Sequence, residues 1–380
     1  MKLPKFFNDF LNSEKSSGMV LLFCAAASMV VANTSFGSSY QHFWHISASS
    51  KPIEFWINDG LMAIFFLQVG LEIEREIYVG ELKDFKKSLL PVLAAVGGMV
   101  VPAGIHFFFN RRMLSQSGYG IPMATDIAFS LGILSLLGNR VPFSLKVFLT
   151  ALAIIDDLGA ILVIALFYST HFSLLYLGIA LLIFAFLILL NRLNILSLWV
   201  YVILGCVMWF CMHRSGIHAT ITGVLLAFAI PFRTGDDKSP SVKILHWLHK
   251  PVAFIVLPLF ALANTAITIP VTFAHDLSSP NSLGIIFGLL LGKPLGIFLF
   301  AAAGVWIGWC SIPKGLKISY LLGIGLLAGI GFTMSIFITL LAFNDGTLID
   351  SSKIAVLAGS LLSGVIGFVC LRLMLGKANN

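Results

Sequence analysis

The stretch LKVFLTALAIIDDLGAILVIALFY, residues 145–168, is almost unbroken apolar sequence with two adjacent acids, Asp156 and Asp157, at its midpoint. About 20 apolar residues suffice for an α-helix to cross a hydrocarbon core of about 30 Å, so this stretch reads as a transmembrane helix. An ionised side chain at mid-membrane costs about 2.5–3.5 kcal/mol on insertion scales, and two in succession project roughly 100° apart around one helix. Packing does not call for such a pair. It reads as a cation or proton site.

Working outward, composition extends the membrane reading to the whole chain: 58% of residues are hydrophobic and 11% charged, with a mean hydropathy of +0.97. Only helices and closed barrels satisfy their backbone groups in lipid. Apolar stretches run at about 18–33, 55–73, 89–109, 119–137, 145–168 and 172–190, then 197–212, 217–230, 252–270, 283–309, 318–343 and 354–375. The expectation is an all-α polytopic membrane protein of about 12 transmembrane helices in one domain, 1–380. A soluble catalytic domain has no room, and the reading is not that of an enzyme. Cys24, Cys206, Cys211, Cys310 and Cys370 lie in apolar stretches without metal-ligand spacing and read as packing residues. The segment before Gly18 mixes Phe6, Phe7, Phe10 and Leu11 with charges and reads as an amphipathic surface helix.

Twelve spans place both ends on one side. Of the Lys and Arg residues, 18 fall in connections on that side and five on the other, Lys51, Arg111, Arg112, Arg214 and Lys353. The positive-inside rule then puts both termini in the cytoplasm. The net charge of +7 follows from this asymmetry; a nucleic-acid partner would need a basic soluble face that is absent.

Two stretches depart from an ordinary transmembrane pattern. Residues 119–137 carry Gly120, Pro122, Thr125 and Asp126, which predicts an unwound middle near Thr125 and Asp126. Residues 318–343 carry Gly323, Gly325, Gly329 and Gly331, which loosens the backbone without proline. Each is the middle member of three consecutive spans, about 89–168 and 283–375, that start on opposite sides of the membrane. That is the signature of an inverted repeat. Inside these six spans the charges are Asp126, Asp156, Asp157 and Lys293. Unpaired, three aspartates and a lysine at this depth cost on the order of 10 kcal/mol. Lys293 lies about 15 Å into its span, too deep to snorkel. Gly288-Leu-Leu-Leu-Gly292-Lys293-Pro294 is not a phosphate loop: it is one residue short and has Pro where Ser or Thr should hold magnesium.

The stretches Asn58-Asp59-Gly60, Val69-Gly70-Leu71-Glu72, Ala124-Thr125-Asp126-Ile127-Ala128-Phe129, Ala153-Ile-Ile-Asp156-Asp157-Leu-Gly159 and Gly292-Lys293-Pro294-Leu-Gly296 resemble the NhaA-type sodium/proton antiporter family along essentially the whole chain. The resemblance implies two discontinuous helices that cross near mid-membrane, their half-helix ends offset by Asp126 and Lys293. It implies exchange of cytoplasmic Na+ or Li+ for external H+ across a bacterial inner membrane, electrogenic and pH-regulated, with no cofactor. Asp157 would be the main Na+ or Li+ ligand, Asp156 a second ligand or proton carrier that pairs with Lys293 in one state, and Thr125 and Asp126 part of the same site. The acids and the lysine would titrate as a coupled unit.

Glu72 and Glu76, with Glu74 and Arg75 between them, read either as a solvated helix end or, by resemblance, as a cytoplasmic cation funnel. Asp59 reads as a helix cap near the outer surface or a further functional acid. His246 and His249 read as pH sensors or interfacial histidines; the resemblance implies an acid just before them, where this chain has Leu245. His218, in Ser215-Gly216-Ile217-His218, matches a motif linked by resemblance to pH response. The connection 34–53 carries Tyr40, Phe43, Trp44 and Ile46, reads as an interfacial loop, and by resemblance forms a hairpin that pairs two protomers. Two other classes fit less well. An intramembrane aspartyl protease would leave Lys293 without a part, and a cation channel would need a ring of carboxylates.

Overall fold

The computed structural model describes residues 14–48, 51–80, 85–168, 173–233, 239–270, 273–313 and 315–376. Most of the amphipathic segment expected before Gly18 lies outside them. Helix α1 (Glu14–Ala32) turns by 116° into α2 (Gly37–His45). A minimal antiparallel hairpin follows, β1 (Ser47–Ala48) on β2 (Lys51–Pro52) with Ser47 opposite Pro52. The chain continues through α3 (Ile53–Tyr78), α4 (Phe85–Phe109), a 3₁₀ segment (Leu114–Met123), α5 (Ile127–Leu136) and α6 (Phe143–Phe167). Then come α7 (Leu174–Arg192), α8 (Leu198–Ser215), α9 (Ile221–Ala229), α10 (Pro240–Asn264), α11 (Pro280–Trp306), α12 (Tyr320–Ala328), α13 (Phe332–Ala342) and α14 (Gly346–Met374).

Among the described residues eight helices are long and apolar enough to cross a membrane, and eleven spans result if each of three bent pairs counts as one. The expected span at 217–230 is only partly helical. Gly216 closes α8 in the left-handed region at φ 85°, and residues 217–220 form a turn, leaving α9 only nine residues. At 1.5 Å per residue its helical part is about 14 Å long, with non-helical residues 217–220 and 230–233 extending the segment at either end.

Helix α6 is central, with 61% of its span buried against 17% for α7, which sits at the periphery with α8. Helices α4 and α11 approach each other closely, backbone to backbone. A Cβ on Gly296 would lie 2.1 Å from the Gly97 carbonyl oxygen, and one on Gly97 would lie 2.2 Å from that of Gly296. Only glycine lets these backbones touch. Helices α10 and α11 each contain a π-helical turn just ahead of a proline, Val252–Val256 before Pro258 and Gly288–Gly292 before Pro294. Proline has no N–H to continue the ladder, and a wide turn absorbs the missing bond. The second places Lys293 directly after the widened turn.

Both expected interruptions are present. The 3₁₀ segment and α5 meet at 44° across residues 124–126, and α12 and α13 meet at 51° across residues 329–331. The first half of the first broken helix is 3₁₀ rather than α. The cysteines in the described residues are all free.

Candidate functional site

The two interruptions face each other and satisfy each other's stranded backbone groups. The Asp126 N–H donates to the Ile330 carbonyl at 2.7 Å. The Asp126 carboxylate caps its own helix, Oδ1 accepting from the Phe129 N–H at 3.0 Å, and also the start of α13, Oδ2 accepting from the Thr333 N–H at 3.2 Å and its hydroxyl at 2.5 Å. One carboxylate therefore stands at two helix N-termini, where partial positive charge collects. The C-terminal ends are served by hydroxyls and by Lys293. Ser130, four residues after Asp126, donates to the Leu327 carbonyl of α12 at 2.8 Å. Ser335, four residues after Gly331, donates to the Ile121 carbonyl of the 3₁₀ segment at 2.6 Å. The clasp is reciprocal. Gly331 has no side chain to cap α13, and Ser360 of α14 accepts from the Gly331 and Phe332 N–H groups instead.

Lys293 is fully buried and donates to the Met123 carbonyl at the end of the 3₁₀ segment. Its Nζ also lies 3.0 Å from Asp156 Oδ2. The same Oδ2 is 2.7 Å from the Thr125 hydroxyl, which is 2.9 Å from the Ala328 carbonyl. Asp156 Oδ1 is buried without a partner among the described residues. A buried pair of this kind is tolerable only with close geometry and added hydrogen bonds.

Asp157, next on α6, points elsewhere. Its carboxylate is fully buried and neither oxygen meets a hydrogen-bond donor among the described residues. It lines a cavity of about 840 Å³ that also touches Asp126 and Thr333 and runs out past Glu72, Arg75, Glu76, His246, His249 and Lys250. His246, His249 and Lys250 are exposed. Glu72 accepts from the Gln68 amide at 2.9 Å, and Arg75 lies 3.4 Å from Glu76.

The structure thus divides the expected site. Asp126, Asp157, Glu72, Arg75, Glu76, His246 and His249 share one cavity, while Asp156, Thr125 and Lys293 form a sealed cluster behind it. Two expected residues lie apart. His218 contacts the Tyr168 carbonyl through Nε2 at 2.9 Å, near the end of α6. Asp59 sits inside a π-helical turn, Trp56–Leu61, rather than at a helix cap, and its backbone carbonyl accepts from the Trp209 indole at 3.3 Å. Leu245 packs with Leu71 and Ala227, which accounts for an apolar residue ahead of His246. Sequence reasoning missed Thr333, Ser130, Ser335 and Ser360. For Thr333, Ser130 and Ser335 the available signal was a hydroxyl residue two to four positions after each break; Ser360, on α14, carried no such signal. Asp126, already holding three donors, is not free to act as half of a catalytic dyad. Among the described residues no three His, Cys, Asp or Glu side chains converge as a metal centre; a transported ion would be cargo.

The model of a family described as Na+/H+ antiporter 1 matches residues 8–371. The chain belongs to this antiporter family. Relatives named Na(+)/H(+) antiporter NhaA include one from Cytophaga hutchinsonii, 58% identical over 375 residues, covering 99% of this chain and 97% of the relative. Another, from Flavobacterium psychrophilum, is 56% identical over 99% of this chain and 98% of its own length. A third, from Dechloromonas aromatica, is 57% identical over 97% and 96%. The relatives of this antiporter family member are named as transporters, not enzymes, and the family resemblance read from the motifs holds along nearly the full chain.

Proposed function

We propose that the chain is a secondary transporter exchanging cytoplasmic Na+ or Li+ for external H+ across a bacterial inner membrane, by alternating access at Asp157. One observation carries the reading: a buried carboxylate with two unpartnered oxygens at the inner end of an acid-lined cavity. A desolvated carboxylate must bind something, and a proton or a small cation satisfies it alternately. Asp126 and Thr333 line the same cavity and would complete the cation site. The second proton rides on the Asp156–Lys293 pair. If two protons exchange per Na+, one net charge moves per cycle, worth about 2.3 kcal/mol per 100 mV, and an inside-negative potential expels Na+.

Glu72 and Glu76 concentrate cations at the cavity entrance, and Arg75, His246 and His249 set the response to pH there. His218 would act on pH response from outside the cavity. The charge asymmetry supports cytoplasmic termini and a cavity open to the cytoplasm. The paired Gly97–Gly296 approach and the Ser130–Ser335 clasp support inverted repeats at about 89–168 and 283–375 within a single domain. The β1–β2 hairpin in the 34–53 connection supports a homodimer joined there.

The test is purified protein in proteoliposomes with an internal pH dye, challenged with Na+, Li+ or K+ with and without an imposed potential. Na+ and Li+ should collapse the proton gradient, K+ should do little, and Asp157→Asn should abolish the response. Normal exchange by Asp157→Asn removes the assignment.

A further inference from the structure

Away from the crossing, three polar side chains are stranded at one helix junction. Glu74 on α3, Ser239 just ahead of α10 and Ser241 in its first turn are 5%, 1% and 2% exposed. Glu74 Oε2 and both serine hydroxyls are buried without a hydrogen-bond partner among the described residues. Packing brings them to one level. A Cβ on Gly70 would lie 2.6 Å from the Ala227 Cβ of α9, and Leu71 packs with Ala227 and with Leu245 of α10. Two turns beyond Leu71, Tyr78 stacks on Phe232 with ring centroids 5.3 Å apart. Gly70, Leu71, Glu74 and Tyr78 share one face of α3, so Glu74 projects between these contacts at the α9–α10 junction. Ser241 is at that junction, four residues before Leu245, its N–H donating to the Pro231 carbonyl at 3.3 Å.

The start of α10 does not use these hydroxyls. An N-cap serine ordinarily accepts from the N–H of the second or third helical residue, but Ser239 makes no such bond. Pro240 has no N–H, and the Ser241 N–H already serves Pro231. Nor does any basic side chain among the described residues offset the charge on Glu74. Arg75 lies 3.4 Å from Glu76, Arg233 donates to Asn194 at 3.0 Å, and Lys243 is exposed. A buried carboxylate left in this state is costly. A small cation answers all three groups at once, since the carboxylate supplies charge and the hydroxyls and the Pro231 carbonyl supply neutral oxygen ligands. An all-oxygen set with one formal charge suits a hard monovalent ion rather than a divalent or soft one.

We infer that Glu74, Ser239 and Ser241, with the Pro231 carbonyl, form a second Na+ site off the transport route, which ties α3 to the start of α10. Glu72 and Glu76 line the cavity and Glu74 does not, because each stands two residues from it, roughly 160° around α3. Helices α3 and α10 both wall that cavity. An ion held between them fixes the spacing of the walls, so Na+ acts there as a regulator and not as cargo. The site stands independently of the cargo carboxylate, and its test is run with Asp157 removed.

Calorimetric titration of Na+ into the purified full-length Asp157→Asn protein, with choline chloride holding the ionic strength constant, should show one residual Na+ per chain. Its Tm should rise with Na+ over the same range. Adding Glu74→Gln removes the only formal charge and should weaken the residual binding by about tenfold or more and erase the rise in Tm. Adding Ser241→Ala in place of Glu74→Gln removes one neutral ligand and should weaken binding about fivefold. Absence of residual Na+ in Asp157→Asn, or residual binding unmoved by Glu74→Gln, overturns the site and leaves the three groups to ordered water. If the chain with Glu74→Gln does not assemble, Ser241→Ala, which keeps the carboxylate, is read against the same two outcomes. Normal proton exchange by Asp157→Asn in proteoliposomes would instead sink the cargo assignment, and the change that Glu74→Gln makes to Na+ binding would still be measured.

Discussion

Replacing Asp126 probes the crossing most directly, because one carboxylate holds both half-helices. Three buried donors converge on it, the Phe129 N–H, the Thr333 N–H and the Thr333 hydroxyl. Hydrogen bonds to a charged group contribute about 1.5–3 kcal/mol each, and a lost helix cap alone costs about 1 kcal/mol. Asp126→Ala strands all three donors at a nearly fully buried position, for an expected loss of about 4.5–9 kcal/mol. Asp126→Asn keeps one acceptor oxygen and should lose about half as much. At an unfolding entropy of about 2.1 cal/mol/K per residue, 5 kcal/mol over this chain corresponds to about 6 °C in Tm. Thermal unfolding in a single detergent at fixed pH gives the ranking wild type, then Asn, then Ala. A wild-type Tm for Asp126→Ala would refute the double-cap account, and so would equal losses for the two variants.

Three further outcomes are expected. Gly296→Val places carbon inside the van der Waals radius of the Gly97 carbonyl and should abolish assembly of folded protein, whereas Gly104→Ala on the same α4, where a Cβ meets nothing within 4 Å, should be neutral; size-exclusion profiles of the detergent-extracted proteins decide it. If Na+ and H+ compete for Asp157 as proposed, the apparent Kd for Na+ should rise about tenfold per unit of falling pH for each proton displaced on the acid limb, so calorimetric titrations across pH should give a slope of one or two and never zero. Glu72→Gln with Glu76→Gln should slow Na+-driven exchange roughly threefold to tenfold at low ionic strength, and added choline chloride should erase the difference; a salt-independent defect would point to a structural role for these acids.

The membrane class, the two interruptions and the identity of the buried charges were legible because each violates a strong expectation for lipid-embedded sequence: acids, a lysine, and Pro or clustered Gly where apolar helix formers belong. The partners of those charges were less legible. Ser130, Ser335 and Ser360 are ordinary residues in a membrane helix until the fold brings each against another segment's orphaned backbone groups. The neighbours Asp156 and Asp157 read as one site in sequence, but their separation of about 100° on α6 sends one toward Lys293 and the other into the cavity. What hydropathy did not register at 217–230 was the local form of the segment: a left-handed glycine that ends one helix and a turn that shortens the next.

The crossed serines carry a consequence for how such a machine can move. Since Ser130 grips the partner strand of the crossing and Ser335 grips back, neither interrupted helix can be loosened while its counterpart stays put. A rearrangement that displaced one interrupted helix would therefore carry the other with it, the knot moving as a unit past the helices α3 and α10 that share the cavity with it.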